Sequence, residues 1–141
     1  NHIALLRCPN CRGDSLEALD LRDRHSIFTS IEHLASFDVG IALPWVAWSI
    51  YPRRTETLIQ TALQKLSDYE PRFGLLNEDD GKVRAYLEQS FPDHFNCDVP
   101  RGSGVLIWIV AGTPIQCAGG PNVTEYEILK TSRSLWAATA N

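Results

Sequence analysis

The sequence predicts an α+β domain: a mainly antiparallel sheet of three to five strands with about three helices packed on one face. Three observations predict it. Two segments, residues 55–70 and 79–90, carry apolar side chains at helical spacing. The last third turns to strand formers punctuated by Gly and Pro. No regular alternation of strand and helix is visible along the chain. At 141 residues and 15.8 kDa the whole chain, 1–141, reads as a single compact domain. A chain of that length buries roughly two-thirds of its unfolded surface and needs no disulfide mesh.

Residues 2–7 are short and apolar and read as a strand, followed by a Cys8-Pro9-Asn10-Cys11 turn closed by Gly13. Residues 16–24 suit helix and strand equally. Residues 26–37 read as a helix, with Ile27, Phe28, Ile31, Leu34 and Ala35 on one face and Gly40 just beyond. Residues 41–51 have strand composition, and Pro44 pushes that strand to an edge or a bulge. Pro52-Arg53-Arg54-Thr55 reads as a break. Leu58, Ile59, Ala62, Leu63, Leu66 and Tyr69 then form a continuous helical stripe, opened by Thr55 as N-cap and ended before Pro71. A second helix follows, lined by Val83, Tyr86, Leu87 and Phe91 and stopped by Pro92. Residues 105–111 are a buried strand by composition. Gly112-Thr113-Pro114 turns it, residues 115–118 return beside it, and residues 123–130 form a further strand of a meander. In that register Cys117 stands opposite Trp108.

Thirteen basic and 17 acidic residues give a net charge of −4. That balance disfavours a broad nucleic-acid surface, which needs excess Lys and Arg to displace counterions. The 44% hydrophobic content excludes intrinsic disorder. No stretch approaches the ~20 apolar residues of a membrane-spanning helix, and the first residues lack a signal-peptide core. The expectation is a cytoplasmic protein without membrane contact.

The cysteines carry the most specific signal. Leu6-Arg7-Cys8-Pro9-Asn10-Cys11-Arg12-Gly13 resembles a zinc-ribbon knuckle: the two-residue spacing lets both thiolates reach one metal, and Pro9 pre-bends the turn. His94-Phe95-Asn96-Cys97 repeats that spacing. Cys8, Cys11, His94 and Cys97 would together make a Cys3His zinc site stapling the N-terminus to the loop after the second helix. The same Cys8–Cys11 turn, set between a strand and a helix, also resembles the thioredoxin family, and Gly112-Thr113-Pro114 resembles that family's proline loop beside the active disulfide. The resemblance implies a redox pair at Cys8 and Cys11. In a reduced cytosol inert thiols are a third reading.

Asp93, His94, Cys97 and Asp98 are the one compact group of titratable side chains in the sequence, and His94 with Cys97 and Asp98 could form a Cys–His nucleophile pair with its acid. Trp45, Trp48, Tyr51, Arg53 and Arg54 combine aromatic faces with guanidinium groups, the residue types from which partner interfaces and ligand pockets are built. Arg101-Gly102-Ser103-Gly104 lacks a P-loop ending and reads as a turn. The sequence therefore points first to a non-catalytic binding or protein-interaction module, zinc-stapled or not, taking a protein partner or small ligand and able to form homo-oligomers. A small acid–base or Cys/His enzyme and a thiol-redox protein using the Cys8–Cys11 turn are the alternatives.

Overall fold

The computed structural model of the chain describes residues 28–120 and 122–137. Its centre is β1, Val39–Trp45, buried along all seven residues. The elements around it are a short helix α1 (Ile31–Leu34), α2 (Ile50–Gln64), a 3-10 turn (Ser67–Tyr69), β2 (Arg72–Asn77), α3 (Gly81–Ser90), β3 (Val105–Val110), β4 (Thr113–Gly119) and α4 (Glu125–Ala137). The sheet order is β2-β1-β3-β4. β1 runs parallel to β2, from Gly40↔Arg72 to Trp45↔Asn77. It runs antiparallel to β3, from Val39↔Val110 to Ala42↔Ile107. β3 and β4 form an antiparallel hairpin with an irregularity between Trp108 and Ile109. The fold is thus α+β with two antiparallel ladders and one parallel one.

Side-chain alternation splits the core into two layers. Val39, Ile41, Leu43 and Trp45 of β1, with Leu106 and Trp108 of β3, pack against Ile59 and Ala62 of α2 and Ile128 and Trp136 of α4. Trp108 Nε1 donates to the buried Ser132 Oγ at 2.9 Å, tying the sheet to α4. Ala42, Leu76, Ile107 and Ile109 belong to the opposite layer with Val83 and Leu87 of α3 and with Phe95. Two of the three long helices therefore share a face, as expected for all of them, and α3 covers the other. A central strand buried on both sides shows no polar/apolar alternation in sequence, which is why its neighbours were hard to foresee.

Several elements differ from the sequence reading for identifiable reasons. The strand expected over 41–51 ends at Trp45, and the chain is helical from Ile50. Ser49, with extended φ and ψ, is the N-cap of α2. Pro52 then occupies the first helical turn, where no intrahelical N–H is needed, so it opens the helix instead of breaking it. Thr55, expected as the cap, is buried inside the helix. Pro44 lies in a central strand, not an edge, and this is tolerated because the β1–β3 ladder stops at Ala42↔Ile107. β2 was not foreseen. Between Pro71 and the acidic run at 78–80 it is only six residues long.

In the expected helix 26–37, the described part holds helical structure only over Ile31–Leu34. Phe28 instead bridges to Leu75 and Thr29 N–H donates to Leu75 O at 2.7 Å. The hairpin turns at Ala111-Gly112, with φ of 52° and 75°, not at Gly112-Thr113-Pro114. The register moves by one, so Cys117 faces Ile107 and Gln116 faces Trp108. The strand expected over 123–130 is the start of α4. Its signal is the capping box Thr124-x-x-Glu127: Glu127 N–H donates to Thr124 Oγ1, and Thr124 N–H donates to Glu127 Oε1, both at 3.2 Å. The expected strand 2–7, the ambiguous segment 16–24 and the Cys8–Cys11 turn lie outside the described residues. Among the described residues, no helix is long and apolar enough to cross a membrane.

Candidate functional site at the β1–α2 turn

β1 and β2 are parallel neighbours, and the chain leaves them at the same end of the sheet. β1 has β2 on one side and β3, running the other way, on the other. Three segments meet at that end of the sheet: the turn 46–49 into α2, the residues after β2, and the loop Arg101-Gly102-Ser103-Gly104 before β3.

Their contacts are specific. Ser49 is buried; its Oγ donates to Gly102 O at 2.6 Å and accepts from Tyr51 N–H at 3.3 Å. Thr55 Oγ1 donates to Gly104 O at 2.9 Å. Glu78, only 2% exposed, accepts from Gly102 N–H at 2.9 Å and from Arg84 Nη1 at 2.8 Å. The loop is thus held by α2 on one side and by the end of β2 on the other. It is built from glycine because nothing else fits. Gly102 has φ +72°, and a Cβ there would sit 2.5 Å from Val46 Cγ2 and 2.6 Å from Ser49 Cβ. Burial pushes the Glu78 carboxyl above its ordinary value; the Gly102 N–H, Arg84 and Arg101 pull the other way and are outweighed.

The aromatic–arginine set divides across this turn. Trp45 is core, 6.1 Å from the Phe28 ring and with the Arg53 guanidinium 5.8 Å from its centroid. Arg53 also donates to Ala47 O at 3.2 Å, so it braces the turn. Trp48 and Tyr51 stand outside, 44% and 41% exposed, and Arg54 is exposed beside them. Sequence reasoning missed Ile50, 62% exposed between the two aromatics, and missed Ser49, Glu78 and the Gly102 loop. A Ser immediately before an apolar pair and a proline is the cap signal that would have found Ser49.

The other candidates lie elsewhere. Asp93, His94, Cys97 and Asp98 are all exposed on the loop after α3. Cys97 Sγ points to Asp98 Oδ1 at 3.9 Å, and among the described residues the His94 ring has no hydrogen bond to Cys97. Cys97 borders a surface groove of about 550 Å³ with Arg84, Glu88 and Arg101. Among the described residues no group of three or more His, Cys, Asp or Glu could hold a metal; Cys8 and Cys11 of the zinc staple lie outside them. Pro114 sits in edge strand β4 opposite Ile109, at the far end of β3 from Ser49, and no described peptide bond is cis. The loop that does lie against the β1–α2 turn is Arg101–Gly104.

The turn itself holds Ser49-Ile50-Tyr51-Pro52. The Ser49 proton is committed to Gly102 O, and neither described histidine bonds it: His33 pairs with Arg72 Nη2 at 2.8 Å, and His94 is on the loop after α3.

No family model and no curated protein matches the chain. Solved structures do. A yeast mitochondrial 1-Cys peroxiredoxin, described with its thiol resolving mechanism via glutathione/thioredoxin systems, superposes with a TM-score of 0.52 at 13% identity. The match covers 74% of this chain and 85% of that one. A redox protein from Chlamydomonas reinhardtii gives a TM-score of 0.48 at 17% identity, over 82% of this chain and 33% of that one. At these identities the peroxiredoxin likeness establishes the fold, which is thioredoxin-like, and leaves activity to be argued from this chain's own residues.

Proposed function

We propose that this thioredoxin-like domain is a non-catalytic binding module that receives a partner at its β1–α2 turn. One observation carries the reading: Trp48, Ile50 and Tyr51 project from the turn while the serine between them is buried and fully engaged in holding the Gly102 loop. Exposed apolar groups on a rigid, hydrogen-bonded frame suit recognition, because little ordering entropy is lost on binding. Panning a random peptide display library against the wild-type chain and against Trp48→Ala/Tyr51→Ala tests it. Peptides that bind only the wild type, with both proteins equally folded by circular dichroism, support the module. Peptides insensitive to the double substitution remove it.

A second reading has its own support. The likeness to a peroxiredoxin favours thiol chemistry at Cys8 and Cys11. Reversible loss of one thiol pair on treatment with hydrogen peroxide, abolished in Cys8→Ser, would replace the binding reading by a redox one. The zinc staple of Cys8, Cys11, His94 and Cys97 is a structural addition to the binding reading and competes with the redox one for the same two thiolates. Zinc bound one per chain and released in Cys97→Ser supports it, and metal-free protein with freely titrating thiols removes it.

A further inference from the structure

We infer that the occupant of the β1–α2 turn is a segment of a partner protein in which apolar side chains are interleaved with carboxylates. This rests on the binding reading and adds the chemistry of what binds. Five large hydrophobic side chains are prominently exposed among the described residues, and three of them, Trp48, Ile50 and Tyr51, fall within four positions. That clustering supplies the apolar half of the surface.

Arg54 supplies the charged half. It stands four residues after Ile50 and three after Tyr51, so it shares their face of α2. It is exposed, and among the described residues no ion pair or hydrogen bond reaches its side chain. The first turn of α2 contains no acidic residue, and Arg53 and Arg54 follow closely on it. Cations near a helix N-terminus oppose its dipole. Arg53 is taken up by Ala47 O and the Trp45 ring, so the charge beside the apolar cluster is that of Arg54, and a carboxylate from a partner complements it.

The helix end itself does not supply an anion cradle. Tyr51 N–H is taken by Ser49, and Pro52 has none to offer, so recognition of the carboxylate falls to the guanidinium. A second copy of this chain fits less well: joined through this same patch it would bring no carboxylate among Trp48, Ile50, Tyr51 and Arg54 to meet either arginine. A membrane also fits less well, because lipid adsorption draws on larger basic clusters than this acidic chain presents.

The test uses two rhodamine-labelled dodecapeptides, one alternating Asp or Glu with Leu or Phe and one with every acid replaced by Lys. Binding is read by anisotropy at 50 and 300 mM NaCl. The expected result is at least tenfold tighter binding of the acidic peptide at low salt, weakening at high salt. Arg54→Glu should lose the acidic peptide by about tenfold and gain the lysine one, and Tyr51→Ala should weaken both. Equal binding of the two peptides, still lost in Tyr51→Ala, overturns the carboxylate chemistry and leaves the binding reading standing. If neither peptide binds and vesicles containing phosphatidylserine do, the occupant is a membrane and the inference falls. If nothing binds, or Tyr51→Ala is without effect, the binding reading falls with it.

Discussion

Replacing Glu78 by alanine removes the one side chain that joins the end of β2, α3 and the Gly102 loop. Its carboxylate is 2% exposed and accepts from Arg84 Nη1 at 2.8 Å and Gly102 N–H at 2.9 Å. Without it, Gly102 N–H is buried with no acceptor. The Arg84 guanidinium, 13% exposed, keeps only Glu88 at 3.2 Å, which is itself half in water. Breaking a buried pair from one side costs about 3–5 kcal/mol. Glu88 offsets part of that, so Glu78→Ala should lose about 3 kcal/mol. Glu78→Gln retains an acceptor for Gly102 and should lose about half as much. The assay is urea unfolding at pH 7, where an m-value of roughly 1–3 kcal/mol/M turns 3 kcal/mol into a midpoint shift of about 1 M or more. The pH dependence has a definite sign. Burial holds the folded-state pKa of Glu78 above its ordinary 4.5, so the folded chain takes the proton more readily than the unfolded one. The stability advantage of wild type over Glu78→Gln should therefore grow as pH falls through the folded-state pKa and level off below the ordinary one. An alanine variant within about 0.5 kcal/mol of wild type, or an advantage that shrinks on acidification, refutes the account.

The thiols of the described region should separate by environment. Burial pushes Cys117 up to about 11 whereas Cys97 is exposed, so iodoacetamide at pH 8 should label Cys97 at least tenfold faster by peptide mass mapping; equal rates would place Cys117 at the surface. Thr124→Ala should cost about 1 kcal/mol in urea unfolding by opening the capping box of α4. No loss would mean the helix starts elsewhere. Gly102→Ala combines a left-handed backbone with contacts of 2.5 and 2.6 Å, and should cost about 2 kcal/mol or more. A neutral result would show that the loop is not packed on Ser49.

Local chemistry was enough to identify the helical stripe of α2 from Leu58 to Leu63, though the helix ends at Gln64 and not just before Pro71, and it was enough for the whole of α3 and the buried character of β3, because amphipathic spacing acts within one element. Those signals also sufficed for the α+β class. Tertiary packing decided the rest. Val39–Trp45 is apolar on both faces, so only its neighbours reveal it as the centre of the sheet and pair it in parallel with an unforeseen six-residue β2. Residues 123–130 have strand composition, yet the Thr124–Glu127 cap and the docking of Ile128 and Trp136 on β3 make them helical. Trp45 and Trp48 look alike in sequence, and one is core while the other is surface, because β1 ends between them. Ser49, Glu78 and Gly102 are separated by up to 53 positions and become a unit only when parallel strands end at one edge of the sheet. A composition has no means of stating that proximity; the chain must close the sheet first.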